Sequence, residues 1–190
     1  KESYTNPATC TMFDPTALAT TRAAVDMAKD KGAIIAIDAN IRPLRWSSEE
    51  FCRDTITSFF EDADILKLTD EELFFLTETD TLEAGLAKLD ELLVPIILIT
   101  VGAEGAYAVL NGEVTHVPVE KVIPVDTTGA GDAFMAGVLR YVHFNGLPTV
   151  TEDLVKCVAF GNKLGAFAAT KAGALTALPH YEDIKHLVED

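Results

Sequence analysis

Basic side chains are scarce in this chain: lysine and arginine number 15 against 30 aspartates and glutamates, for a formal net charge of −15 over 190 residues. So acidic a chain lacks the cationic footprint by which proteins neutralise nucleic-acid phosphates, and no nucleic-acid partner is expected. The charge reads as solubility, and it leaves open a nucleotide held through backbone amides and metal ions. Cysteine is equally sparse. Cys10, Cys52 and Cys157 are odd in number and far apart, which leaves no disulfide framework and no metal spacing. They read as reduced thiols of a cytoplasmic protein, with Cys157 packed in a core. His116, His143, His180 and His186 form no ligand pattern either. No apolar run reaches membrane-spanning length and no signal pattern is visible at the start, so no membrane partner is expected. What the chain does have is core-forming material: 48% of its residues are hydrophobic, enough to exclude disorder and to build one domain.

The order of elements follows from local signals. Asp14 before Pro15 marks a helix start, and the pattern predicts a helix over residues 15–30, closed by Gly32. Residues 33–38 form a continuous apolar run, as in a strand covered on both faces. Helices are predicted over residues 48–60, 70–76 and 81–93, and strands over 63–68 and 95–100. Asn111-Gly112 between two apolar runs is a hairpin signal joining residues 106–110 to 114–117. A strand over 122–125 should lead into a glycine-rich run, followed by helices over 130–144, 151–170 and 181–188. The helix over 151–170 is apolar nearly all round and should be buried. This alternation implies an α/β layered fold with a mostly parallel sheet and an antiparallel edge. Ligands of such sheets sit beyond the carboxyl ends of the strands, where Asp38, Lys67, Thr100 and Asp126 fall. There is no internal repeat and no linker.

The run Val125-Asp126-Thr127-Thr128-Gly129-Ala130-Gly131-Asp132-Ala133-Phe134 carries the chemistry. A helix start presents unpaired N–H groups and partial positive charge. Gly129, Ala130 and Gly131 let an anion approach those groups, and Asp132 stands beside it where a proton could be taken. The run has no Walker-type lysine and is not a P-loop.

Residues 126–134 (DTTGAGDAF) resemble the signature of the ribokinase/PfkB-type carbohydrate kinases. Further segments agree in order and spacing. Asp38-Ala39-Asn40-Ile41-Arg42 with Trp46 is similar to the DPNxR…W stretch of fructokinases and ketodeoxygluconate kinases, and residues 66–73 (LKLTDEEL) to their KxS/NxxE segment. Thr100-Val101-Gly102-Ala103-Glu104-Gly105 resembles the TxGxxG turn; Asn162, Lys171-Ala172-Gly173-Ala174 and Leu178-Pro179 resemble the closing segment. The resemblance runs from about Phe13 to Pro179 and is closest to fructokinase. It implies a ribokinase-like layered fold with a mostly parallel central sheet, incomplete at its N-terminal side. Residues 1–12 would be an irregular segment, and 13–190 the C-terminal, nucleotide-binding part of a carbohydrate kinase domain.

The roles it implies are as follows. Asp132 would be the general base, with Gly129, Ala130 and Gly131 the anion hole for the transferring phosphoryl group. Glu72 would help organise Mg²⁺ and its waters, with Thr69 on the metal side. Lys67, Thr100, Gly102 and Gly105 would line the ATP groove, and Asn162 would lie near adenine. Asn40 and Arg42 would reach the acceptor sugar or the phosphate it receives. Oxygens of Asp126, Thr128, Ala168, Lys171 and Gly173 would hold a monovalent cation, K⁺ in this family. Asp38 reads instead as a polar strand end that orders its loop, and Glu104 as solvated surface.

Two substitutions depart from the family pattern: Ala39 replaces a proline, and Thr69 replaces Asn or Ser. The family's N-terminal part, with its sugar contacts and β lid, has no counterpart here. An exposed sheet edge and a sugar pocket lacking one wall are therefore expected, with homodimerisation or association through that edge. The function implied is ATP-dependent phosphorylation of a ketose primary hydroxyl, as in fructokinase. The alternatives are a 2-keto-3-deoxygluconate kinase and a nucleotide-binding fragment without catalysis.

Overall fold

In this computed structural model residues 4, 5, 7 and 9–188 are described. The chain forms two compact units, Lys1–Ile99 and Thr100–Asp190.

In the first unit, helix α1 (Pro15–Asp30) begins where expected because Asp14 accepts hydrogen bonds from the N–H groups of Thr16 and Ala17. Strands β1 (Tyr4–Thr5), β2 (Ile34–Asp38) and β3 (Ile65–Thr69) pair in parallel, β1 with β2 and β2 with β3, and β4 (Ile96–Thr100) follows in the order. Ile35, Ala36, Ile37, Leu66, Leu68, Leu98 and Ile99 are all buried. This explains why β2 and β4 read as continuous apolar runs rather than alternating ones; in β3 only Lys67 interrupts the run. Ser48 caps α2 (Glu49–Thr57) and Thr69 caps α3 (Asp70–Thr77); α4 (Leu82–Asp90) completes the unit. Arg22 joins α1 to the end of α2, pairing with Asp62 at 2.8 Å and lying 3.7 Å from the Phe59 ring centre.

Three boundaries differ from the sequence expectation. The helix expected over 48–60 stops at Thr57, and Phe60–Asp62 forms a separate 3-10 turn. The helix expected over 81–93 ends at Asp90, and Leu93 takes a left-handed φ of 54°. Residues 1–12 are not wholly irregular: Tyr4–Thr5 is a strand on β2, Thr9–Thr11 a 3-10 turn, and Thr9 and Met12 are buried.

In the second unit, β5 (Ala106–Leu110) and β6 (Glu113–Val117) form the antiparallel hairpin read from Asn111-Gly112. Both turn residues take positive φ, 49° and 84°, as a two-residue turn of the primed type requires. Helices α5 (Ala130–Asn145) and α6 (Thr151–Ala169) pack closely through small residues, since a Cβ on Gly137 would lie 3.0 Å from the Gly161 Cα. Helix α6 exposes little besides Glu152, Lys156 and Lys163, in keeping with its apolar character. Helix α7 (Tyr181–Val188) ends the described chain, and the His186 side chain lies outside the described residues.

The strand expected over 122–125 is not formed. The segment is extended loop, with Val122, Ile123 and Val125 exposed. Pro124 has no N–H for a ladder, and the N–H groups of Val125 and Asp126 both donate to Ala169 O, at 2.8 and 3.2 Å. The end of α6 therefore ties down the last residue of this segment.

Cys10, Cys52 and Cys157 are free thiols. Burial pushes the Cys157 thiol up to about 12 and the Cys52 thiol to about 11, so both are inert packing groups. Among the described residues no His, Cys, Asp and Glu cluster suits a metal, and no helix is long and apolar enough to cross a membrane.

Candidate active site

The glycine run opens α5. Gly129 is the N-cap, in left-handed conformation at φ 83°, and no side chain caps the helix. A Cβ at Gly129 would press on the Ala174 backbone at 3.3 Å, so glycine is required there for close approach as well as for φ. The Ala130 N–H is used by Thr127 O and the Ala133 N–H by Gly129 O. Between them, the N–H groups of Gly131 and Asp132 have no partner among the described residues. These are donors that an anion at a helix start can take, strengthened by the helix dipole. Asp132 lies in the first turn with its side chain exposed. Helix α6 sets the height of this start, since a Cβ on Gly165 would lie 3.1 Å from Ala130 O.

Asp126 fixes the loop in front of that cradle. One carboxylate oxygen accepts the Thr128 N–H at 2.9 Å, and the other accepts the Gly173 N–H at 3.0 Å. Hydrogen bonds from the Thr128 side chain, the Thr128 N–H and the Gly173 N–H hold the Asp126 carboxyl below its ordinary value. Asp126, Thr128 and Gly173 are thus joined by hydrogen bonds, and Ala168, in the last turn of α6, is joined to Lys171. Ala168 O accepts the Lys171 N–H and Gly173 O the Ala177 N–H, both at 3.1 Å. Each carbonyl keeps a second lone pair, an oxygen donor of the type that hard cations take.

Thr100, Gly102, Gly105 and Asn162 surround the β5–β6 hairpin. Gly102 is exposed, and a Cβ there would meet nothing within 4 Å, whereas Gly105 is buried with φ 99° against the backbone of residues 117–119. Asn162 is buried, and its Nδ2 donates to Val117 O at 2.9 Å, pinning the end of β6 to α6.

The remaining candidates lie together in the first unit, at the carboxyl ends of β2 and β3. Asp38 and Lys67 are register partners in the parallel ladder, and both are buried. The Lys67 ammonium donates to Asp38 Oδ1 at 3.0 Å. Asp38 and Lys67 thus form a buried ion pair between the carboxyl ends of β2 and β3. Ala39 N–H donates to Lys67 O at 3.0 Å, and Thr9 Oγ1 donates to Ala39 O. Asn40 then takes a left-handed φ of 38°, turning the chain into Ile41 and Arg42. Glu72 engages this turn with one carboxylate oxygen, accepting the Ile41 N–H at 2.7 Å, and accepts the Thr69 N–H with the other at 2.8 Å. The Thr69 hydroxyl accepts the Glu72 N–H at 3.1 Å, completing a capping box. Arg42 donates from Nη1 to Ile41 O at 2.8 Å and is otherwise exposed. The sequence signal for the box, Thr-x-x-Glu before an apolar run, was readable; the Ile41 partner had no local signal.

Residues 8–181 match the family described as pfkB family carbohydrate kinase. The chain belongs to that family. It is 39% identical over 167 residues to a fructokinase of Klebsiella pneumoniae, covering 87% of this chain and 54% of that protein. A fructokinase of Salmonella thompson is 36% identical over 166 residues, covering 87% of this chain and 75% of the relative. The chain thus spans about half the length of the Klebsiella relative. Among solved structures, a Vibrio cholerae O395 fructokinase with fructose, ADP and calcium bound superposes with a TM-score of 0.89 at 30% identity, covering 100% of this chain and 61% of that one. Aminoimidazole riboside kinase from Salmonella enterica, with aminoimidazole riboside and an ATP analogue, gives 0.90 at 25% identity, covering 100% and 64%. The fold is accordingly ribokinase-like α/β, with mostly parallel strands.

Proposed function

We propose that residues 13–190 are the nucleotide-binding part of an ATP-dependent sugar kinase, a fructokinase that phosphorylates a ketose primary hydroxyl. The observation carrying this reading is the start of α5, where two N–H groups without partners stand beside the exposed carboxylate of Asp132. Fructokinase relatives at 36–39% identity supply the substrate class, and a solved fructokinase relative binds fructose and ADP.

In this reading Asp132 takes the proton of the acceptor hydroxyl as its oxygen bonds to the γ-phosphorus. The bond to the ADP oxygen breaks, and ADP leaves with the electron pair. The N–H groups of Gly131 and Asp132, with Gly129 and Ala130 shaping the turn, stabilise the charge on the transferring phosphoryl group. Thr100, Gly102, Gly105 and Asn162 belong to the nucleotide side, Asn162 by holding the β6 end in place. Asn40 and Arg42 meet the acceptor, a guanidinium suiting phosphate and carboxylate alike. Oxygens of Asp126, Thr128, Ala168, Lys171 and Gly173 would hold a K⁺ ion, which supplies positive charge behind the anion hole. Thr69 and Glu72 would face Mg²⁺, which neutralises triphosphate charge when bound.

Calorimetry with a non-hydrolysable ATP analogue, beside turnover assays with fructose and 2-keto-3-deoxygluconate, tests the proposal on the 190-residue chain. Analogue binding by the chain is expected, and turnover, by the chain or by a full-length protein that contains it, should favour fructose. Asp132→Asn should keep analogue binding and lower turnover by about 10²–10⁴-fold. Binding without turnover would favour the non-catalytic reading, and turnover unaffected by Asp132→Asn would remove the base assignment.

A further inference from the structure

We infer that Glu72 is a positioning residue for the acceptor loop, in addition to any service on the nucleotide side. The inference deepens the sugar-kinase reading and rests on it only for what Asn40 and Arg42 meet. Its basis is geometric. Both carboxylate oxygens of Glu72 are committed to backbone N–H groups, and the two donors come from different segments. Thr69 is three residues away, at the helix cap, whereas Ile41 follows β2. A glutamate that only caps α3 needs the first bond alone.

The second bond falls where the backbone is least able to hold itself. Asn40 sits at φ 38°, outside the ordinary basins of an L-residue. The residues on either side of it are tied down: Ala39 through its N–H to Lys67 O and its carbonyl to Thr9, Ile41 through its N–H to Glu72. The turn is thus over-determined from both flanks, the condition under which a strained conformation persists. Ile41 also receives the Arg42 guanidinium on its carbonyl. Glu72 therefore fixes the residue against which the arginine is parked. The side chain of Ile41 is buried while Arg42 is exposed, so the clamp separates an anchored residue from one free to reach a ligand. A charge-assisted bond of this kind, with the Ile41 N–H donating to a carboxylate oxygen, is stronger than a neutral one.

Glu72→Gln tests the clamp, because an amide offers oxygen to one N–H but its own NH₂ to the other. The local capping bond to Thr69 should keep the oxygen. Amide hydrogen exchange of the 190-residue chain, read by NMR, should then show Ile41 exchanging about ten- to a hundredfold faster. Thr69 and the β5 amides should hold their wild-type rates. In the kinase assay the KM for the sugar should rise about tenfold, whatever change accompanies it in the KM for MgATP. An Ile41 amide that stays protected overturns the inference. So does a loss confined to MgATP affinity, which would assign Glu72 to the nucleotide alone. If neither the wild-type chain nor a full-length protein that contains it phosphorylates a sugar, the kinase reading falls, and the exchange of Ile41 still decides whether the clamp exists.

Discussion

Replacing Gly105 by alanine should be among the most destabilising single changes in the second unit. Its backbone lies at φ 99°, ψ −129°, a region open essentially to glycine alone. A Cβ at that position would stand 2.3 Å from Val117 O, 2.9 Å from Val119 N and 3.0 Å from Pro118 C. All three are backbone atoms, so no side chain can swing aside. Val117 O is moreover the acceptor of the buried Asn162 amide at 2.9 Å, and Val117 is the register partner of Ala106. The substitution therefore has two costs. Backbone strain amounts to about 1–3 kcal/mol. Displacing the Val117 carbonyl strips Asn162 of its acceptor, a further penalty of ~1–3 kcal/mol. Their sum, roughly 2–6 kcal/mol, is a large part of a typical domain stability of ~5–15 kcal/mol. Gly102→Ala is the internal control, with φ 56° and no neighbour within 4 Å; it should cost only the left-handed penalty of about 1–2 kcal/mol. Urea unfolding followed by far-UV circular dichroism on wild type and both variants reads the difference. If Gly105→Ala proved no more costly than Gly102→Ala, the coupling through Val117 O would be refuted.

Two further outcomes follow from the charged groups. Because hydrogen bonds lower the Asp126 carboxyl below its ordinary value of 3.8, its stabilising effect is complete above that value and lost as pH falls through the lower folded one. Thermal midpoints of the wild type should therefore fall more steeply below pH 3.8 than those of Asp126→Asn, and parallel curves would refute the assignment. Lys67→Met should cost about 3–5 kcal/mol by removing the counter-ion of buried Asp38, and Asp38→Asn in the same chain should recover most of it. Lys67→Met that left stability intact while weakening ATP-analogue binding would return Lys67 to the nucleotide groove.

The elements legible in the sequence were those set by neighbours in the chain. Asp14-Pro15 fixed the start of α1 because capping is local, and Asn111-Gly112 fixed the hairpin because its turn needs two positive φ values. The strands β2 and β4 were legible because burial on both faces leaves a nearly continuous apolar run, and β3 because only Lys67 interrupts its buried apolar residues. Residues 122–125 misled for the converse reason. Val122, Ile123 and Val125 are apolar and β-branched, but the Val125 N–H goes to Ala169 O, a long-range choice that no window contains. The site divides in the same way. The helix-start chemistry of residues 129–132 and the Thr69–Glu72 box are short-range patterns. The Asp38–Lys67 pair depends on parallel register, and the Glu72–Ile41 bond on how two loops meet, so neither could be read from spacing.

A common device emerges from the two carboxylates that the family resemblance assigns to ions. Glu72 spans residues 41 and 69 in the first unit, and Asp126 spans residues 128 and 173 in the second. Each uses both oxygens on backbone N–H groups from separate segments, and each adjoins a residue at positive φ, Asn40 in one case and Gly129 and Gly173 in the other. A carboxylate is suited to this task because it accepts along several lone-pair directions and donates nothing that would need a partner. Holding a strained turn and offering residual lone pairs to a cation are compatible, since a carboxylate has about four acceptor sites and these bonds leave at least one open. The same acidic residue can then shape its loop before any ligand arrives. An Asn or Gln in its place would lose the loop geometry first, and any effect on ion binding would follow from that loss.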